Sequence, residues 1–153
     1  FDALIAREFA KTKTRGFQPY LKLVLQNYPQ YKPQNYTLII DDIEINTQAL
    51  FVSFSNSNQF GFDVEIANNA SLCDGLIDVV IVQKPPLPLL FWTAQLLFWR
   101  KFDNSIYVNA YQAKKVTVKS NNPTGVNLDG EYAEFDTDLT FEIMPDSLNV
   151  IIP

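Results

Sequence analysis

VNLDGEYAEF, Val126–Phe135, is the stretch on which the reading of the fold turns. Two short runs rich in β-forming residues, Val126–Leu128 and Tyr132–Phe135, flank Asp129-Gly130, and Asp-Gly between such runs is the strongest short-range hairpin signal. The same turn sets two carboxylates, Asp129 and Glu131, on either side of a glycine. A hairpin does not need the second one, so the stretch is both a structural signal and a candidate site.

Working outward, Ile106–Tyr111, Lys114–Lys119, Leu139–Met144 and Leu148–Ile152 read as further short strands, with a turn at Asn121-Asn122-Pro123. Short, regularly punctuated strands predict an antiparallel sandwich or barrel rather than βαβ units. Farther back, Tyr36–Asp41 and Ile43–Asn46 form a hairpin pattern around Asp41-Asp42. Ala49–Ser55 alternates as a single strand, and a long polar connection from Asn56 leads into an apolar strand at Leu76–Val82. Two helices precede the strands. Ala3–Lys13 is expected to stop at Gly16, and Gln18–Tyr28 carries Pro19 in its first turn. The predicted class is α+β, mainly β: a single antiparallel β-sandwich-like domain over residues 1–153 with a few helices.

Composition narrows the chemistry. The chain is 153 residues long and 47% hydrophobic, enough material for one packed core. A formal net charge of −5 and a pI near 4.6 argue against a nucleic-acid partner. Histidine is absent and Cys73 is the lone cysteine, which excludes a histidine-based triad, a cysteine-histidine dyad and a structural zinc site. Acid-base work must fall to carboxylates, lysine or tyrosine. The five glycines are not spaced as a phosphate loop, so any nucleotide phosphates would be held elsewhere. No signal-peptide pattern opens the chain at Phe1, and no disulfide is available within it; the expectation is an internal piece of a longer cytoplasmic protein.

Two further stretches invite a functional reading. Asp74-Gly75-Leu76 offers a carboxylate and inward-turned carbonyls that suit Mg²⁺ or Ca²⁺, although a plain turn entering a strand is the simpler reading of these residues alone. LPLLFWTAQLLFWRKF, residues 87–102, reads as a helix with Pro88 in its first turn and a stripe of Leu89, Trp92, Leu96 and Trp99. It is apolar on its other sides too and too short to span a bilayer, which takes ~20 residues. It is either a core helix or a lid over an apolar substrate or a membrane interface, and exposed tryptophans would favour the lid. Between Arg7 and Lys22 five basic residues accompany one acidic residue, suited to an anionic surface or to solvent.

The order Phe1-Asp2-Ala3, Asn56 followed by QFG, IANNA (Ile66–Ala70), SLCDGLIDVVIV, an apolar helix, AKKVTVKS and NLDGE resembles the C-terminal domain of the diacylglycerol kinase and sphingosine kinase family of lipid kinases. The resemblance runs over nearly the whole chain. It implies an ATP-dependent transfer of the γ-phosphoryl group to a lipid hydroxyl, with ATP bound mainly by an N-terminal domain that carries a Gly-Gly-Asp-Gly-Thr loop. It makes Glu131 the general base and places Asp129 beside the Mg²⁺-nucleotide. It matches Asp74 to an acidic residue that binds a structural Mg²⁺ with backbone oxygens at the positions of Ser71 and Leu76. It favours a lipid-access role for the apolar helix, with Trp92, Leu96 and Trp99 toward the lipid substrate, and peripheral contact with the inner membrane face. Two departures stand out: Gly61-Phe62-Asp63 replaces a run of three glycines, and Asn68 replaces the proline expected before Asn69. The alternatives are a noncatalytic lipid- or membrane-binding β-domain and an enzyme related to NAD kinase.

Overall fold

A computed structural model describes residues 1–61, 64–119 and 124–147. The strand Leu148–Ile152, the turn Asn121-Asn122-Pro123 and the Phe62-Asp63 departure lie outside these residues.

The chain begins with α1 (Asp2–Ala10) and α2 (Phe17–Asn27). Gly16 does not end the first helix as expected. Helix α1 stops at Ala10, and Gly16, with φ of 106°, precedes the first residue of α2, a backbone conformation that side chains rarely adopt. The hairpin β1 (Gln34–Ile40) and β2 (Ile43–Ala49) forms around Asp41-Asp42 as the sequence predicts.

The expected single strand Ala49–Ser55 is two elements. β2 ends at Ala49, the chain bends at Leu50, and β3 (Phe51–Ser55) pairs with β6 (Ile77–Val82) in a different sheet. Leu50 donates its N–H to Val82 O across the bend. A second crossing joins β7 (Val108–Ala113) to β8 (Lys115–Lys119). Ala49 and Ala113 are both buried at these corners, where a small side chain lets the two layers approach.

One layer is therefore a four-stranded antiparallel sheet in the order β11-β8-β1-β2, with β11 at Leu139–Glu142, and the other is the three-stranded β3-β6-β7. Leu38, Ile40, Val116 and Val118 from the first pack on Ile77, Val79 and Ile81 from the second, and Phe54 stacks on Phe141 at 4.3 Å between them. All six residues of β6 are buried, because its other face, with Val80 and Val82, is covered too. That cover consists of Val64 from β5 (Val64–Glu65), which pairs with β4 (Gln59–Gly61), of Phe102 from a 3-10 turn at Phe102–Asn104, and of Leu96 and Leu97 from α3 (Leu87–Phe98). Helix α3 is shorter than expected: Arg100, at φ of 55°, turns the chain back. The architecture is the mainly antiparallel, sandwich-like α+β domain that the strand pattern predicts.

The two remaining strands, β9 (Thr124–Leu128) and β10 (Glu131–Phe135), form a separate two-stranded ribbon packed against α1.

Candidate functional site

The ribbon carries the two carboxylates singled out in the sequence. Leu128 pairs with Glu131, leaving Asp129 and Gly130 as a two-residue loop with φ of 50° and 97°. Two consecutive left-handed residues are the pattern of a type I′ hairpin turn. For Asp129 this conformation costs roughly 1–2 kcal/mol relative to the right-handed region, which the ribbon must sustain.

Side-chain bonds hold the turn from below. Gly130 donates its N–H to Asn127 Oδ1 at 2.9 Å, and Asn127 Nδ2 donates to Asp2 Oδ2 at the start of α1. The other oxygen of Asp2 accepts from the Tyr20 hydroxyl on α2 at 3.2 Å. Burial raises the Asp2 pKa above the ordinary carboxylate range, opposed by the bonds from Asn127 and Tyr20. Burial and the neighbouring Asp2 in turn push the Tyr20 hydroxyl well above its usual value. The Tyr132 ring also ties the ribbon to α1. It lies over Gly125, where an added Cβ would come within 2.8 Å of it, and the Arg7 guanidinium stands 5.5 Å from its centroid.

Neither Asp129 nor Glu131 has a hydrogen-bond or ion-pair partner among the described residues, and both are exposed. A fixed turn thus presents two uncommitted carboxylates. Asp2 and Asn127 were not assigned a role by sequence reasoning. Asp2 stood in the Phe1-Asp2-Ala3 motif, but a contact spanning 125 residues of sequence leaves no local signal.

Asp74, Ser71 and Leu76 lie together on the loop before β6. Asp74 Oδ1 accepts the Leu76 N–H at 3.0 Å, Ser71 Oγ accepts the Cys73 N–H at 3.3 Å, and Gly75 has φ of 70°. Gln112 Nε2 lies 3.5 Å from Asp74 Oδ2 and 3.3 Å from Asp78 Oδ1. Asp78 Oδ2 is buried without a hydrogen-bond partner among the described residues. Desolvation raises the Asp78 pKa, the bond from Gln112 lowers it, and the charge of Asp74 adds to the rise. Oxygen donors alone, one exposed carboxylate with a second buried behind it, fit a hard, hydrated cation such as Mg²⁺. Among the described residues no group of three or more histidine, cysteine or acidic side chains converges on a metal position, so backbone oxygens and water would complete such a site.

The aromatic helix divides its candidate residues. Leu96 packs inward, with Leu97, against the second core cluster. Trp92 and Trp99 point outward, 63% and 60% exposed. Of the two roles left open for this helix, core or lid, the outward tryptophans favour the surface-facing one. At its end Arg100 Nε pairs with the buried Glu65 at 3.2 Å, and Asp103 accepts hydrogen bonds from Asn68 and Asn69. The asparagine at position 68 thus uses a side-chain donor that a proline would lack. No helix is long and apolar enough to cross a membrane among the described residues.

Residues 1–152 match the model of the YegS C-terminal NAD kinase beta sandwich-like domain. Two solved structures from Bacillus anthracis str. Sterne, each assigned as a diacylglycerol kinase, share the fold. One is 16% identical with a TM-score of 0.61 over 88% of this chain, and the other is 17% identical with a TM-score of 0.63 over 93%. In both cases the match covers 46% of the solved chain, so this chain spans about half their length. No curated protein matches it in sequence. The motif order and the sandwich agree with the family match: the chain belongs to the YegS C-terminal NAD kinase beta sandwich-like domain family.

Proposed function

We propose that this chain is the lipid-side half of an ATP-dependent lipid kinase that phosphorylates the hydroxyl of a diacylglycerol or a long-chain base. The observation that carries the reading is the β9–β10 turn, which holds two unpartnered, exposed carboxylates on a rigid support. Phosphoryl transfer asks a protein mainly for positioning, charge neutralisation and a proton acceptor. Glu131 accepts the proton of the lipid hydroxyl as the oxygen attacks, and its exposure leaves it accessible to that hydroxyl. Asp129, one glycine away, adds negative charge where Mg²⁺ accompanies the nucleotide. ATP supplies the phosphoryl group and is held mainly by an N-terminal domain of the same protein. Asp74, with backbone oxygens at Ser71 and Leu76, would hold a structural Mg²⁺ that steadies the loop before β6. Trp92 and Trp99 face outward, where an acyl chain could be received, while Leu96 supports them from the core side.

The test is phosphoryl transfer from ATP to micellar diacylglycerol and to a long-chain base by the full-length protein. Product formation with either lipid supports the reading. Lipid binding without transfer to either would leave the domain as a noncatalytic lipid binder, and transfer to NAD instead would place it with the NAD kinases.

A further inference from the structure

An aspartate followed by glycine can react with its own main chain. The peptide nitrogen of the glycine attacks the aspartate side-chain carbon and closes a five-membered ring, and glycine puts no side chain in the way of closure. The dipeptide occurs twice here, at Asp74-Gly75 and at Asp129-Gly130. With the same two residues at both places, a difference in this reaction comes chiefly from structure.

The structure separates the two in three ways. Asp74 is exposed, and its Oδ1 accepts the Leu76 N–H at 3.0 Å, which folds the carboxyl back over the Gly75 peptide. The Asp129 carboxyl has no hydrogen-bond partner among the described residues and is not folded back in this way. The attacking nitrogens differ as well. The Gly75 N–H has no hydrogen-bond acceptor among the described residues. The Gly130 N–H donates to Asn127 Oδ1 at 2.9 Å, and Asn127 is held in turn by Asp2, so this nitrogen has to break a bond before it can attack. Finally, Asp129-Gly130 is closed by the Leu128–Glu131 pair of the ribbon, whereas Asp74-Gly75 lies outside any strand. The Leu76 N–H also suits the reaction itself: as Gly75 N adds to Cγ, negative charge gathers on the side-chain oxygen that this donor already meets.

We propose that Asp74-Gly75 is a site of spontaneous isoaspartate formation, and that the Asn127 cap shields Asp129-Gly130 from the same modification. In the first step the bond from Gly75 N to Asp74 Cγ forms and one Cγ–O bond breaks; that oxygen leaves as water with the Gly75 proton and one proton from solvent. In the second step water adds to the resulting imide. Attack at the main-chain carbonyl breaks its bond to nitrogen, leaves a free α-carboxylate and routes the chain through Cβ and Cγ; attack at Cγ restores aspartate. No oxidant or other reactant is needed, and the product has the mass of the parent. The isoaspartyl residue is a substrate for carboxyl methylation, and its Cγ oxygen is now a peptide carbonyl, so Leu76 loses the carboxylate that capped it directly before β6. The modification depends neither on phosphoryl transfer nor on a bound cation.

The test is incubation of the full-length protein for several weeks at physiological temperature and neutral pH, followed by peptide mapping with electron-transfer fragmentation, which tells isoaspartate from aspartate at equal mass. Methylation of the same peptides by an isoaspartyl methyltransferase is the second readout. Isoaspartate at position 74 should exceed that at position 129 by about fivefold or more, the factor that one hydrogen bond on the attacking nitrogen represents. In urea-unfolded protein the two sites should accumulate it at similar rates, because only the dipeptide then counts. Asn127→Ala should raise the rate at Asp129 by about fivefold and leave Asp74 unchanged. Asp74→Glu should abolish the signal at position 74, since its ring would need a sixth member. Equal accumulation at the two turns of the folded protein, a faster rate at Asp129, or no isoaspartate at Asp74 where the unfolded protein forms it would each overturn the proposal.

Discussion

Two Asp-Gly turns, Asp129-Gly130 and Asp74-Gly75, use the same dipeptide to opposite ends. In the first both residues are left-handed, at φ of 50° and 97°; in the second only the glycine is, at 70°. Asp74 spends one oxygen on the Leu76 N–H inside its own loop and leans on Gln112 with the other. Asp129 makes no such bond, because Asn127 caps the Gly130 N–H in its place and is itself fixed by Asp2. A turn that caps itself commits its carboxylate. A turn capped by a neighbour leaves its carboxylates available. The dipeptide alone does not distinguish the two; the residue two positions earlier and a distant aspartate do.

The contrast between the turns fails if the ribbon is not held by α1. Gly125→Ala would drive a Cβ into the Tyr132 ring, and overpacking of that kind costs about 1–3 kcal/mol; the expected result is a Tm lowered by several degrees in thermal denaturation. Unchanged Tm would mean that the ring is not fixed against Gly125. Asn127→Ala removes the cap from the Gly130 N–H, with an expected loss of about 1 kcal/mol and a lowered kcat in the full-length enzyme at nearly unchanged KM. A turn that needed no cap would show neither change. On the other turn, Asp74→Asn should reduce the rise in Tm produced by added Mg²⁺, while Asn127→Ala should leave that rise intact. If both variants lose it, the two turns are not separate devices.

The smallest effect concerns pH. The folded pKa of Asp2 is raised chiefly by burial, so its ionisation opposes folding: the associated stability is fully present below the ordinary carboxylate pKa and is lost as pH rises through the raised value. In Asp2→Asn the substituted amide cannot ionise and cannot accept both hydrogen bonds. The stability difference between the parent and Asp2→Asn should therefore widen as pH falls from 7 toward 4, measured by denaturant unfolding. A difference that narrows over that range would reverse the sign assigned to Asp2.

Much of the sandwich was legible because its strands obey local rules. The Asp41-Asp42 and Asp129-Gly130 hairpins follow from turn chemistry, and β6 from an apolar run broken only by Asp78. What escaped is nonlocal. The bend at Leu50 lies inside a run in which Leu50, Val52 and Phe54 alternate, and nothing in ALFVSFS says that Ala49 and Phe51 belong to different sheets. Gly16 could stop one helix or precede the next, and only its φ of 106° decides. Glu131, Asp129 and Asp74 were nameable because their turns are short motifs. Asp2 and Asn127, which support the turn, meet only through the tertiary fold. The stripe of Leu89, Trp92, Leu96 and Trp99 was drawn as one face, yet the core takes Leu96 and leaves the tryptophans outside, because an all-apolar helix offers no polar side to orient it.

Glu131→Gln in the full-length protein, assayed with saturating ATP and micellar lipid beside a thermal melt, tests the central claim most directly. The exposed turn accepts glutamine without strain, so Tm should be unchanged, while kcat should fall by about 10²–10⁴-fold for loss of the proton acceptor. Near-normal turnover at unchanged Tm would contradict Glu131 as the base.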